Sequence, residues 1–234
     1  SGTNGPVVIT VPVAVAANAA NPTVNTATVT GGGDPTCTNC SGTTTNPVID
    51  AVNDASTGQP GQAGTFNVST NDKFPVGSTF TQTATTCVPA GTMTGAVANF
   101  TYPGTTGASC TVTYSVCAPA PNTTICDTAV LTVTAGAAPA LTVTKSATPA
   151  VLVVGGTGQV YTITISVANG PTTAAINVSD VLPAGVSTNG AITATGGTLS
   201  GCPASGATSL AGCTVASGTN GPVVITVPVA VAAN

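Results

Sequence analysis

The sequence predicts an all-β protein built from tandem β-sandwich modules. Three observations predict it. Short alternating apolar–polar runs recur along the chain, Gly, Pro and Asn-Gly turn signals separate them, and the composition disfavours helix. Of 234 residues only 3% are charged, as two Lys and six Asp, with no Arg, Glu, His or Trp. Thr alone supplies about a fifth of the chain, and Thr and Val fit pleated strands while the strong helix formers are scarce.

The alternating segments run, in chain order, over 7–16, 23–30, 111–116, 129–134, 140–145, 160–167 and 175–182. Turn signals fall at Gly31-Gly32-Gly33, Pro89-Ala90-Gly91, Asn169-Gly170, Pro183-Ala184-Gly185 and Asn189-Gly190. No segment sustains a helical period, and short strands with such turns point to sandwiches. No segment is a membrane-span candidate either, because the most apolar run, 6–20, is interrupted by Thr10 and Pro12 and is too short.

The chain repeats itself. Residues 1–18 and 217–234 both read SGTNGPVVITVPVAVAAN, an offset of 217 − 1 = 216 residues. Chance does not produce such a match, so the expectation is a tandem array of 216-residue period, with Val7, Val8, Ile9, Val11, Val13 and Val15 forming an inter-repeat strand. The chain opens with no initiator Met, basic n-region or signal peptide, so its termini read as cuts or processing points within the array.

Composition places the boundaries. Six of the seven aromatics (Phe66, Phe74, Phe80, Phe100, Tyr102 and Tyr114) lie between 46 and 135, and only Tyr161 lies outside. The reading is therefore residues 1–34 as the C-terminal strands of the preceding repeat's sandwich, 35–45 as a linker, 46–136 as one module, and 137–234 as a second module completed by the next repeat.

Several spaced motifs in the second module carry a family resemblance. Lys145 follows an alternating strand, Tyr161 lies in GQVYTITISVANG, Asp180-Val181-Leu182-Pro183 precedes Gly185, and VNTATVT at 24–30 supplies a closing strand. Together they resemble the conserved repeat domain of bacterial and archaeal surface proteins, also found in the chlamydial cysteine-rich outer-membrane protein. Residues 51–135, with Asn53-Asp54, Asn71-Asp72, FTYPG at 100–104 and YSVC…ICDTAVLTVT, resemble the bacterial immunoglobulin-like repeats of large surface proteins. These resemblances imply tandem immunoglobulin-like sandwiches in an extracellular or cell-surface structural array rather than catalysis.

Eight cysteines suit a disulfide framework in an oxidising compartment. Proximity suggests Cys202–Cys213, and Cys117–Cys126 across the base of the APAPNTTI loop; Cys87 and Cys110 then remain for each other. Cys37 and Cys40 read as a small structural loop. A redox centre or half of a zinc site is the alternative, but no βαβ pattern and no second CxxC support it.

Strand parity singles out three polar residues. Lys145 shares a face with Leu141 and Val143, Asp180 with Ile176, Val178 and Leu182, and Asn25 with Ala27 and Val29. All three should point into one core, where burial disfavours charge. A Lys beside an Asn carboxamide with an acid to assist is similar to the arrangement that forms isopeptide bonds in Gram-positive pilin and adhesin sandwiches. The expected crosslink joins Lys145 to the repeat-equivalent of Asn25, assisted by Asp180, the Asn lying one period downstream or on a neighbour. The alternative is a plain Lys145–Asp180 salt bridge, or a Lys145 turned outward at the strand end. Lys73 lies in a turn and reads as solvated.

Composition also excludes functions. Without His there is no Ser-His-Asp or Cys-His relay and no His-ligated zinc. Without Arg, and at net charge −4, the footprint of a nucleic-acid binder is missing. The loops of Asp54 and Asp72 make a poor calcium cage, and Gly156-Thr157-Gly158 lacks the third Gly of a dinucleotide turn. No cofactor, metal or enzyme activity is expected. The expected function is a structural repeat unit of an extracellular filament, stalk or sheath that self-associates with identical repeats or subunits. A pilin-like subunit polymerising by donor-strand exchange is one alternative. A surface adhesin for a glycan or host protein is another, although aromatics total only 3%. Sequons at Asn39, Asn67, Asn99, Asn122 and Asn177 permit glycosylation.

Overall fold

The computed structural model describes residues 6–33 and 36–233. Among these, regular structure is β-strand throughout apart from one 3₁₀ turn at Val68–Thr70. The protein is all-β, in several sheets, and divides into two compact units. The first takes in the chain up to Ser56 with Ala63–Thr101 and Ser109–Thr134, the second Thr57–Gln62, Tyr102–Ala108 and everything from Ala135 onward.

The first unit begins with a hairpin of β1 (Thr23–Thr28) and β2 (Ser41–Asn46), antiparallel from Thr23 opposite Asn46 to Thr28 opposite Ser41. It forms a two-stranded sheet with no further strand, and its side chains are almost all exposed. The segment 35–45, read from sequence as a linker, thus carries most of a strand. Its Thr run at 43–45 has the β propensity to pair once a turn brings it against 23–28.

Seven more strands follow: β3 (Asp54–Gly58), β4 (Ala63–Asn67), β5 (Thr79–Thr85), β6 (Thr92–Thr94), β7 (Val97–Thr101), β8 (Ser109–Cys117) and β9 (Cys126–Ala135). They form one sheet of order β3-β9-β8-β5 and another of order β4-β7-β6. In β8 strict alternation buries Cys110, Val112, Tyr114 and Val116, and in β9 it buries Ala129, Leu131, Val133 and Ala135. Each large apolar side chain so buried contributes about 1.5–3 kcal/mol. Phe74 meets Phe80 edge-on at 5.0 Å beside this core.

The second unit contains β10 (Ala140–Thr148), β11 (Val160–Ala168), β12 (Ile176–Val178), β13 (Val186–Thr188), β14 (Thr193–Thr195), β15 (Leu199–Ser200), β16 (Cys213–Val215) and β17 (Val223–Val231). One sheet has the order β10-β11-β17-β13, with β14 also on β17, and the other has the order β12-β16-β15. Ile163, Ile165, Val223, Ile225 and Val227 of the first sheet share one hydrophobic cluster with Ile176, Val178, Cys213 and Val215 of the second. The segment expected to be strand over 175–182 is shorter, because beyond Val178 only an isolated bridge from Val181 to Ser209 continues the pairing. Gly196, at φ +81, lets β14 approach β17: a Cβ there would lie 2.1 Å from the Pro222 carbonyl oxygen.

β17 is the central strand. β11 flanks it on one side, and on the other β14 pairs with 224–226 and β13 with 229–231. Pro228, which has no N–H to donate, falls in the gap between those two pairings. The other copy of this sequence has a different fate. Residues 6–16 form no strand, and Val7, Val8, Ile9, Val11, Val13 and Val15 are 65–85% exposed, whereas Val223, Ile225, Val227 and Val229 are at most 1% exposed. The strand expected over 7–16 is absent because a lone strand has no partner for its N–H and C=O groups.

Equivalent truncations in the two copies should therefore differ. Ile225→Ala should cost about 2–5 kcal/mol of second-unit stability. Ile9→Ala, one period earlier, should stay within about 0.5 kcal/mol of the parent. Urea denaturation of both variants measures the contrast, and equal losses would contradict it.

Candidate functional site

The second unit carries an open groove of about 280 Å³ between its sheets. β10 and β11 supply Leu141, Val143, Lys145, Ile163 and Ile165, and β12 with its continuation supplies Ile176, Val178 and Asp180. Among the described residues β10 is an edge strand with β11 as its partner, and β12 pairs with β16 alone. The groove's β10 wall is uncovered: Leu141 is 45% and Val143 62% exposed. The core that parity predicts at this face is thus open, since among the described residues no strand lies across β10 to close it.

At one end of the groove the Lys145 Nζ donates to Asp180 Oδ2 at 2.5 Å and sits 4.3 Å from the centre of the Tyr161 ring. The cation thus has both a carboxylate and an aromatic face as neighbours. The pair is partly shielded rather than buried, with side-chain exposures of 35% and 16%. Two of the three residues singled out by parity are therefore brought together. The third, Asn25, is exposed on β1 opposite Thr44. The chain itself supplies the salt bridge, and any amide crosslink at Lys145 needs an Asn from elsewhere.

The first unit has a second polar constellation, around Tyr114. The fully buried Tyr114 hydroxyl lies 3.0 Å from Asp54 Oδ2, 3.1 Å from Asp72 Oδ2 and 3.1 Å from the Val52 carbonyl oxygen. Its single proton serves one acceptor at a time. The Asp72 Oδ1 accepts from the Val52 N–H at 2.7 Å, and Asn53 Oδ1 accepts from the Val130 N–H at 2.9 Å. The Asn-Asp motifs at 53–54 and 71–72 thus act as a clamp of side chains on backbone. Burial pushes both carboxyls above the ordinary carboxylate range, against the hydrogen bonds they accept. Burial and the adjacent carboxylates also push the Tyr114 phenol up. Sequence reading passed over Tyr114, although its period-2 place between Val112 and Val116 puts a hydroxyl on a buried face, where it needs a partner.

Lys73, read as solvated, instead pairs with Asp50 at 3.2 Å and donates to the Ala17 carbonyl oxygen. Asp50 and Lys73 also form an isolated backbone bridge, which holds the two side chains together.

All eight cysteines are paired, as Cys37–Cys40, Cys87–Cys110, Cys117–Cys126 and Cys202–Cys213, which are the two pairs suggested by proximity, the pair left by elimination and the small loop. Cys117 and Cys126 stand directly opposite one another at the base of the β8–β9 hairpin. Four disulfides fit an oxidising environment. Among the described residues no group of three or more His, Cys, Asp or Glu could hold a metal ion, and no helix is long and apolar enough to cross a membrane. No family model, curated protein or solved structure matches the chain.

The carboxyl shifts set a pH dependence. A carboxyl whose pKa is raised on folding binds its proton more tightly in the native state. Its stabilising contribution is fully present below the unfolded value of about 3.9 and is lost as pH rises through the folded value. The first unit should therefore gain resistance to urea as pH falls from 7 towards 4, and Asp72→Asn should flatten that gain. Urea titrations across this range decide it; a parent chain that weakens no less than Asp72→Asn on acidification counts against the assignment.

Proposed function

We propose that this chain is one 216-residue period of a tandem-repeat structural protein, an extracellular filament, stalk or sheath at the cell surface, built of alternating immunoglobulin-like modules. The observation that carries the reading is the duplicated 18-residue segment. One copy completes the centre of a sheet as β17, and the other exposes six large apolar side chains. In an array, the exposed copy is the β17 of the preceding repeat and lies buried there.

The topology of the second unit supports the immunoglobulin-like assignment. The order β10-β11-β17-β13 corresponds to strands A, B, E and D of that fold, and β12 to strand C of the opposite sheet. The resemblance to the conserved repeat domain and to bacterial immunoglobulin-like repeats of surface proteins points the same way. The disulfides suit an extracellular location, and so little charge suits a chain whose surface is covered by its neighbours. The role is mechanical rather than enzymatic.

The exposed segment also fits a second reading, subunits that polymerise by donating this strand. Against it, the matching place in each subunit is already filled by its own β17. A denaturing, reducing gel of material from the native source separates the two. A polypeptide several times larger than 22.1 kDa is expected for the array, and a single band near 22.1 kDa would replace it with strand-exchanged subunits.

A further inference from the structure

We infer that the groove between β10–β11 and the free edge of β12 is the seat of the β1–β2 hairpin of a second copy of this chain, the next repeat. This rests on the tandem reading. The immunoglobulin-like order leaves two strands to come after E, namely F and G, which join the sheet of strand C. In an array, the residues that follow β17 are those numbered from 19 onward here, since 217–234 repeat 1–18. The next two strands are therefore β1 and β2, already an antiparallel hairpin.

Both edges concerned are free among the described residues. There β12 pairs with β16 alone and β1 with β2 alone, so each presents unpaired backbone groups for strand addition. The direction is set by the sheet. β10 and β17 both run antiparallel to β11, so β17 runs parallel to β10 and ends at the Lys145 end of the groove. A chain turning back from there enters the groove N-terminal end first. Seven residues, 232–234 and then the equivalents of 19–22, separate Val231 from the next Thr23. They reach about 23 Å, ample for the roughly 10 Å between packed sheets.

The side chains then match in three tiers. The groove is polar at one end, where Lys145 meets Asp180, and apolar beyond, at Val143 and Val178 and then at Leu141 and Ile176. One face of β1 reads Asn25, Ala27, and then Val29 just past the strand. Entering antiparallel to β12, it sets the Asn25 carboxamide against the Lys145–Asp180 pair, Ala27 against the two valines, and Val29 against Leu141 and Ile176. The opposite face carries Thr26 and Thr28 beside Thr43 and Ser41, which suits solvent. A parallel entry would bring Val29 to the ion pair and leave Asn25 among aliphatics.

The test is the 234-residue chain beside an extended chain in which residues 19–46 are repeated after Asn234. Hydrogen exchange followed by mass spectrometry should show the amides of 176–180 at least about tenfold slower in the extended chain. Ala27→Lys in the appended segment should abolish that protection, and Thr26→Lys should keep it. Equal exchange at 176–180 in both chains, or equal effects of the two lysines, overturns the docking. Its failure beside a large native polypeptide removes only the hairpin's seat. Protection beside a native species of 22.1 kDa keeps the seat and removes the array.

Discussion

The structure depends on one constraint: a strand exists only where both its flanks and its apolar face find partners. β17 has β11 on one side, β14 and β13 on the other, and an inward row of Val223, Ile225, Val227 and Val229. The same residues at 7–16, without those neighbours, form no strand. Since the sequences are identical, propensity explains none of the difference. Backbone hydrogen bonding and burial supply all of it. Pro228 makes the same point within the strand, because a residue that breaks a ladder is tolerated where no ladder bond is due.

The first unit meets a different demand. Its core surrounds a tyrosine hydroxyl, and two carboxylates with a backbone carbonyl are gathered at that one group. These groups favour a single arrangement over many apolar ones, at the cost of holding carboxyls where water is scarce. The Asn-Asp motifs pin the chain entering β3 to β9 and to the loop before β5. The turn chemistry and the core are therefore one network here.

Much of this was legible in the sequence. Period-2 alternation found β8, β9 and β11, which bury alternate residues, and it found β10, whose apolar row of Leu141 and Val143 has the pattern but stands exposed. Two disulfide pairs followed from proximity and a hairpin loop, Cys37–Cys40 from its tight spacing, and Cys87–Cys110 by elimination. Parity in two separate strands set Lys145 and Asp180 on one face, and the structure joins them in the salt bridge that was the alternative to an amide crosslink. What escaped had no local signal. β2 is a Thr run whose strand character comes from its place opposite β1, and Tyr114 looks like any core aromatic until its acceptors, some 40 to 60 residues earlier, are folded against it. The strand expected at 7–16 fails for the converse reason: its pattern is correct, but among the described residues it has no partner strand.

The scarcity of charge takes on a different meaning once the charges are located. Both lysines are in ion pairs, Lys73 with Asp50 and Lys145 with Asp180. Asp54 and Asp72 face the Tyr114 hydroxyl, and Asp127 accepts the Ala51 N–H. Seven of the eight charged residues, all except Asp34, which lies outside the described residues, thus have structural partners. Solvation of the surface is left to Thr, Ser and Asn hydroxyls and amides, which hydrate without repelling a neighbour of the same kind. Like charges keep soluble monomers apart. With only eight charged residues this chain has little of that repulsion, while its apolar row at 7–15 and the free edge of β12 stand exposed among the described residues.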